Sequence, residues 1–353
     1  MVSLFQKAAL GIDVGVASIK MVELSSRGSK KKLENYVEFQ LPQGESSLKA
    51  FHSEEGLLLA DRVAGVLKGI LRKVNIKQQK VAFAIPDFST FFTTFTLPPM
   101  SEAEIPNAIE FEARHHIPIP LSEVSFDWQI IEKEERLPAV RLKVLLVAVP
   151  KKVLLSYQRV AEICGFEIKG LEAEVFGLIR SVTASSKFSQ PVCLIDFGWQ
   201  STTISIVESH NLLTSHSFDI SGSALTDELS TVLKVNFNEA EAIKKRYGLD
   251  PNHAEAFKVL SAKIDVFASE IEKICNDFSQ GQQTKHIEDI IISGGMASLF
   301  GLKDYLSSRL KKNVSLADPF RSLASPQSLG ERLKRLGPSF AVAIGVGMMG
   351  VEV

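Results

Sequence analysis

The stretch Asp13-Val-Gly15-Val-Ala-Ser18 recurs as Asp196-Phe-Gly198-Trp-Gln-Ser201, 183 residues further on and about half a chain away. Both copies share one context: an apolar run, an aspartate, a glycine turn, a hydroxyl residue and a second apolar run. The first copy lies in LGIDVGVASIKMVEL, Leu10 to Leu24, and the second in PVCLIDFGWQSTTISIVES. A single D-x-G is ordinary turn chemistry, because Asp and Gly favour turns for local reasons. Two copies in matched strand contexts call for a shared cause. In a chain of 353 residues, too long for one small core, they predict two related lobes, each built on a strand–turn–strand unit.

The residue types in the two copies suit one chemistry. An Asp at a strand end places its carboxylate at the mouth of a cleft. Two such ends facing each other can hold hydrated Mg²⁺, which prefers few carboxylates plus phosphate oxygens. Asp13 and Asp196 are therefore the candidate metal residues. Gly15 and Gly198 allow tight turns that bring backbone N–H groups to phosphate. Ser18, Ser201, Thr202 and Thr203 add hydroxyl donors, and Lys20 adds a compact positive charge. A third element, Ile290-Ile-Ile-Ser293-Gly294-Gly295-Met296-Ala297, reads as a buried strand running into a helix start. Glycines without Cβ atoms let a base or ribose lie on the backbone there, and a helix N-terminus attracts phosphate.

Between the copies, Leu58 to Val74 shows helical spacing. VAFAIP and STFFTTFTLP read as strands. Ser101 and Glu104 have capping-box spacing ahead of a helix closed by Pro118, with Pro106 one turn inside it and an irregular first turn expected. A hairpin follows with its turn near Glu134 to Pro138, then a helix ending at Gly165. The block from about Lys80 to Phe166 reads as an inserted α+β module. Further on, Asn238 and Glu241 have capping spacing on a helix closed by Gly248.

Composition excludes several classes. Lys and Arg number 40 against 41 Asp and Glu, a net charge of −1, so bulk electrostatics disfavour nucleic acid. Cys164, Cys193 and Cys275 form no C-x-x-C pair, which argues against a zinc cluster or a disulfide framework. Met1 to Leu10 does not read as a signal peptide. The longest apolar run, Phe340 to Val351, is too short to cross a bilayer.

Two phosphate hairpins followed by an IIISGG element resemble the actin-like ATPase superfamily. The insert is the most specific part of the resemblance. VAFAIPDFSTFFTTFTLP, the Glu112-Ala113-Arg114-His115-His116-Ile117-Pro118 signature and the Val124-Ser-Phe-Asp127 strand are similar to the PilM family of type IV pilus assembly. The resemblance implies an α/β actin-like ATPase fold, with duplicated ribonuclease H-like domains and an inserted small α+β subdomain. It implies a first domain from 1–79, 167–188 and 336–353, an insert over 80–166 and a second domain over 189–335. It implies ATP or ADP with Mg²⁺ as cofactor, in a cytoplasmic protein peripheral at the inner membrane.

The implied partners are the N-terminal cytoplasmic peptide of a PilN-type inner-membrane protein, received in a groove between first domain and insert, other pilus platform or motor proteins, and a second copy of the chain. Membrane contact is implied only through a partner. The first phosphate loop would be Asp13, Gly15, Ser18 and Lys20, and the second Asp196, Gly198 and Ser201 to Thr203. Gly222, Leu225 and Thr226 match a G-G-x-x-L-T pattern whose first glycine is Ser221 here. Glu239, Ala240, Glu241 and Lys244 match a nucleoside-contacting helix. Gly294, Gly295 and Met296 belong to the adenosine loop. Glu174 matches the position facing the attacking water in hydrolytic relatives. Trp199, Gln200 and Val16 depart from the small residues usual beside the phosphate loops, and the expectation is that Trp199 narrows the pocket at the phosphate end.

Other features have plainer explanations. His115 and His116, three and four residues after Glu112, could ligate a metal, but histidines near a helix C-terminus are accounted for by the dipole. Lys244, Lys245 and Arg246 have the same explanation, and Lys30 to Lys32 read as a solvated hairpin turn. Most of Phe83, Phe88, Phe91, Phe92 and Phe95 are expected in the core. The competing classes are a sugar or small-molecule kinase of the same superfamily, an FtsA-like division scaffold and a type II secretion platform scaffold. A kinase needs an acceptor pocket with an Asp base. FtsA chains end in a linker and an amphipathic helix, unlike the core-like stretch up to Val353.

Overall fold

The computed structural model describes residues 7–40, 51–53, 57–136, 139–186, 188–280 and 285–352. In the first half, β1 (Lys7–Val14), β2 (Ser18–Arg27), β3 (Lys30–Gln40), α1 (Ala60–Val74) and β4 (Lys80–Ile85) come first. They are followed by β5 (Phe91–Leu97), α2 (Ile105–His116), β6 (Val124–Arg136), β7 (Ala139–Pro150), α3 (Lys151–Cys164), β8 (Glu167–Ala173) and α4 (Glu174–Ser185). The second half holds β9 (Val192–Phe197), β10 (Thr202–Glu208), β11 (Asn211–Phe218), α5 (Gly222–Leu233), α6 (Phe237–Tyr247) and α7 (Ala254–Gln280). It ends with β12 (Asp289–Ser293), α8 (Leu302–Leu310), β13 (Asn313–Leu316) and α9 (Gly330–Glu352).

The two halves share one topology. One five-stranded sheet has the order β3-β2-β1-β4-β8 and the other β11-β10-β9-β12-β13. In each, the aspartate-bearing strand pairs antiparallel with the next strand and parallel with a later one. Asp13 lies opposite Lys20 and Ala84, and Asp196 opposite Thr203 and Ser293. The central strands are buried along nearly their whole length, as strands covered on both faces must be. Leu10 and Ile12 pack with Val63 and Leu67 of α1 and Tyr157 of α3, whereas Ala9 packs under α9.

The helix α9 lies close against the first sheet because glycines remove the side chains between them. A Cβ on Gly11 would stand 2.1 Å from the Ala343 carbonyl oxygen, and one on Gly345 would stand 1.8 Å from that of Gly177. The same helix reaches the second sheet. The Pro338 carbonyl accepts hydrogen bonds from Ser293 Oγ and the Gly294 N–H, both at 3.0 Å.

A third, antiparallel sheet has the order β5-β7-β6. With α2 it encloses a small core of Leu97, Ile105, Ile109, Val144 and Leu146. The block 80–166 expected as the insert therefore divides. β4 pairs with β1 and β8, and α3 joins the first lobe's core through Val153, Tyr157 and Val160. Only the stretch from β5 to β7 forms the separate sheet.

Several local expectations change. Pro106 is the second residue of α2, where a missing N–H costs nothing. Ser101 and Glu104 form a turn ahead of that helix, with Glu104 Oε2 accepting from the Ser101 N–H at 2.8 Å. The capping box of α6 is Asn236 with Glu239, not Asn238 with Glu241. Lys30 to Lys32 begin β3, and the hairpin turn is Gly28-Ser29. Residues 137–138 of the hairpin turn expected near Glu134 to Pro138 lie outside the described residues.

Candidate functional site

Strand ends from both lobes meet at one cavity of about 780 Å³. Its wall includes Asp13, Gly15, Ser18 and Lys20 from the first hairpin, and Asp196, Gly198, Ser201 and Thr203 from the second. Glu174, Glu241, Lys244, Gly294, Gly295 and Met296 also line it. Leu225, Thr226, Glu239 and Ala240 do not line it, nor do Thr202 and Gly222. The Thr202 hydroxyl donates to the Ile220 carbonyl, and Gly222 lies behind Trp199 and Met296, whose atoms a Cβ there would meet at 3.0–3.2 Å.

The two hairpins are built alike. Gly15 N–H donates to Ser18 O and Gly198 N–H to Ser201 O, each at 3.0 Å. A Cβ at Gly15 or Gly198 would stand 3.1 or 2.7 Å from the same carbonyl, so glycine closes the turn. The N–H groups of the two glycines are spent within the hairpins. Gly294 needs glycine twice over. Its φ is +88°, and a Cβ would fall 2.4 Å from Phe197 O and 2.8 Å from Asp196 Oδ1. Among the described residues nothing lies within 4 Å of the Cβ position of Gly295, which leaves room above the backbone. The helix start expected here is a short 3₁₀ turn over Gly295–Ser298.

The acid end of the cavity is crowded. Lys20 Nζ is 3.7 Å from Asp13 Oδ2. Oδ1 of Asp13 and Oδ1 of Asp196 are buried with no hydrogen-bond partner among the described residues. Burial raises the Asp13 carboxyl, opposed by Lys20 and reinforced by Glu38. Burial, then the charge of Asp13, pushes Asp196 up to about 6. Glu174 is pushed well above the usual carboxylate range by burial and by Asp13, Asp87 and Asp196.

Asp87 was not foreseen from the sequence. It is 4% exposed, and burial raises it to about 7. Its backbone N–H donates to Glu174 Oε2, and its Oδ1 accepts from the Val175 N–H, both at 3.2 Å. Glu38 was missed as well, since it lies on the sheet's outermost strand and enters the wall only through β3.

At the other end, Lys244 is 1% exposed. Its ammonium donates to Gly222 O, Thr226 Oγ1 and Glu241 Oε2, each at 2.6 Å. All three donors are taken, so Lys244 supports the wall and is not placed as a free ligand contact. It stands 4.9 Å from the centroid of the Trp199 ring, which also meets Phe237 edge-on at 6.1 Å. Trp199 thus packs against α6 while forming part of the cavity wall. Glu239 spends its carboxylate on the Asn236 N–H. The exposed Lys245 Nζ reaches Glu241 Oε1 at 3.3 Å and lines the cavity.

The histidine pair is accounted for without a metal. His116 stacks on Phe95 at 5.2 Å, and His115 Nδ1 lies 3.1 Å from Phe111 O. Among the described residues no group of three or more His, Cys, Asp or Glu could hold a metal by itself. No described helix is long and apolar enough to cross a membrane.

The family described as Type IV pilus assembly protein PilM matches residues 11–351. Among curated proteins, cell division protein FtsA of Staphylococcus epidermidis (strain ATCC 35984) is 22% identical over 222 residues, 56% of this chain and 47% of that protein. FtsA of Bacillus subtilis (strain 168) is 24% identical over 212 residues, 54% and 48% respectively. The chain spans about half the length of the curated relatives it matches. Among solved structures, the PilM-PilN type IV pilus biogenesis complex is similar at a TM-score of 0.83 with 21% identity, covering 98% of this chain and 99% of that one. MreB5 of Spiroplasma citri bound to AMPPNP is similar at 0.53 with 11% identity, covering 97% and 95%. The fold is the actin-like ATPase fold, with two mixed sheets and a small antiparallel subdomain.

Proposed function

Matched from residue 11 to residue 351, the chain belongs to the type IV pilus assembly protein PilM family, and on that premise we propose that it binds ATP or ADP with Mg²⁺ between its lobes and couples occupancy of that cavity to a peptide of a PilN-type inner-membrane partner. One observation carries the nucleotide reading. Asp13 and Asp196 reach one cavity from equivalent strand ends of two sheets, each with an oxygen lacking a hydrogen-bond partner among the described residues.

The donor set fits the group. Hard carboxylate oxygens suit Mg²⁺, which keeps several waters and takes phosphate oxygens. Asp13 and Asp196 would hold it, and Ser18, Ser201, Thr203 and Lys20 would meet phosphate. When bound, the cation supplies positive charge to neutralise phosphate oxygens. Glu241 and Lys245 line the same cavity, and a sugar and base would lie over Gly294, Gly295 and Met296. Burial and the charges of Asp13, Asp87 and Asp196 push Glu174 well above the usual carboxylate range. Hydrolysis at this site is proposed to be slow or absent.

The partner reading is supported by the likeness to a structure described as a PilM-PilN complex. It gives a chain without a described membrane-spanning helix a route to the inner membrane. Partner affinity would shift by about 1–3 kcal/mol with nucleotide state, the usual size of such linkages.

Titration of the purified chain with ATP·Mg tests the site. Asp13→Ala and Asp196→Ala should each abolish binding; unchanged affinity in both variants refutes the assignment.

A further inference from the structure

We propose that Asp87 is a positioning residue: its paired hydrogen bonds with the start of α4 tie the turn that launches the inserted subdomain to the Glu174 carboxyl, so that the insert senses what the cavity holds. This rests on the nucleotide reading and adds a coupling element to it.

The geometry is a closed ring. β4 and β8 run parallel with Ile85 opposite Ala173, so both strands end at the same level. Directly beyond, Asp87 N–H donates to Glu174 Oε2 while Val175 N–H donates to Asp87 Oδ1, both at 3.2 Å. Asp87 opens a 3₁₀ turn, Asp87–Ser89, with the Thr90 N–H donating back to Asp87 O at 3.0 Å. The next residues are β5, the first strand of the inserted sheet. On the other side of the ring, α4 leads to β9 and the second lobe. Asp87 thus sits where the first lobe, the insert and the crossing helix meet. The neighbouring Pro86 and Phe88 line the cavity.

The charged surroundings make this ring responsive. Asp13 from β1, Lys20 from β2, Glu38 from β3, Glu174 from α4 and Asp196 from β9 face the same space. Thr203 of β10 also lines that space. From α3, Tyr157 brings a buried hydroxyl with no hydrogen-bond partner among the described residues, in the field of Glu174 and Asp13. Asp13 and Asp87 are buried, Glu174 and Asp196 half-buried, and Lys20 stands 3.7 Å from Asp13. Without a cation, burial and neighbouring carboxylates hold Glu174 well above the usual carboxylate range, and burial raises Asp87 to about 7. A divalent cation at Asp13 and Asp196 favours the charged forms. The Asp87 N–H then donates to a carboxylate, a stronger bond than one to a neutral carboxyl, and the launching turn is held more firmly.

Two measurements on the full chain test this with ATP·Mg as the probe: protons released on binding, from calorimetry in buffers of different ionisation enthalpy, and amide hydrogen exchange at residues 90–97. Native protein should release protons at pH 7 and slow exchange there at least threefold. Asp87→Asn keeps the acceptor for the Val175 N–H and cannot ionise. It should lose most of the proton release and the added protection, and Glu174→Gln should do the same. Asp87→Asn binding ATP·Mg with native proton release and native protection overturns the proposal. A native chain that ignores ATP·Mg contradicts the nucleotide reading instead. The ring is then judged without ligand: exchange at residues 90–97, corrected for its intrinsic pH dependence, should change at least threefold between pH 6 and pH 8 in native protein and not in Asp87→Asn. No such difference sinks it.

Discussion

Asp13 and Asp196 were legible in the sequence because each sits in a short local pattern, and the pattern occurs twice. Asp87 carries no such pattern. Its importance arises only when the ends of β4 and β8 are brought level, and nothing near residue 87 announces its contact with Glu174. Lys244 was read as a ligand residue from its motif, yet burial redirects its ammonium to Gly222, Thr226 and Glu241. The acid cluster has a consequence for stability. Asp87 is raised from 3.8 to about 7 and Asp196 from 3.8 to about 6. The folded chain therefore holds protons that the unfolded chain releases above about pH 4. Their stabilising contribution is complete below that pH and is lost as pH climbs through 6 and 7. The ligand-free melting temperature should fall by about 5 °C from pH 5 to pH 8. Asp87→Asn should fall less, as calorimetric scans at both pH values would reveal.

Elements were legible wherever hydrophobic spacing was strong, and boundaries were lost wherever two signals overlapped. Asn236–Glu239 and Asn238–Glu241 both have capping spacing, but Glu241 is drawn inward to Lys244, so the outer pair caps α6. Asn236→Ala should cost about 1 kcal/mol in urea denaturation with little effect on ATP·Mg affinity. The extent of the insert was misjudged because β4 and α3 are apolar enough to suit either core, and only strand pairing assigns them. The contact between α4 and α9 is far less tolerant than a cap. A Cβ on Gly345 would overlap the Gly177 backbone, and backbone cannot rotate aside as a side chain can. Gly345→Ala should cost about 3 kcal/mol or more. Unfolding at a denaturant midpoint equal to that of native protein would show that the two helices can separate freely.

Across the whole molecule, the shared strand order of the two sheets is what a duplicated D-x-G unit dictates, and it brings both aspartates to one cavity. If that cavity binds ATP·Mg, ligand at a hundred times its dissociation constant should stabilise the fold by about 2.7 kcal/mol. The shift should vanish in Asp196→Ala, which thermal scans with and without ATP·Mg would detect. The sequence could not give the relative closure of the lobes, because closure depends on long-range contacts such as those of Pro338 with Ser293 and Gly294.

Those contacts belong to the last helix, and they bear on how the protein is made. The strand bearing Asp13 is among the first segments synthesised, yet its lower face is covered by residues near 343 and 347. The N-terminal lobe must wait for nearly the whole polypeptide to leave the ribosome before its own interior is sealed. The second lobe, whose core lies almost entirely between residues 193 and 314, can mature earlier. A nascent chain halted before residue 330 should therefore carry one finished lobe and one that proteases still cut.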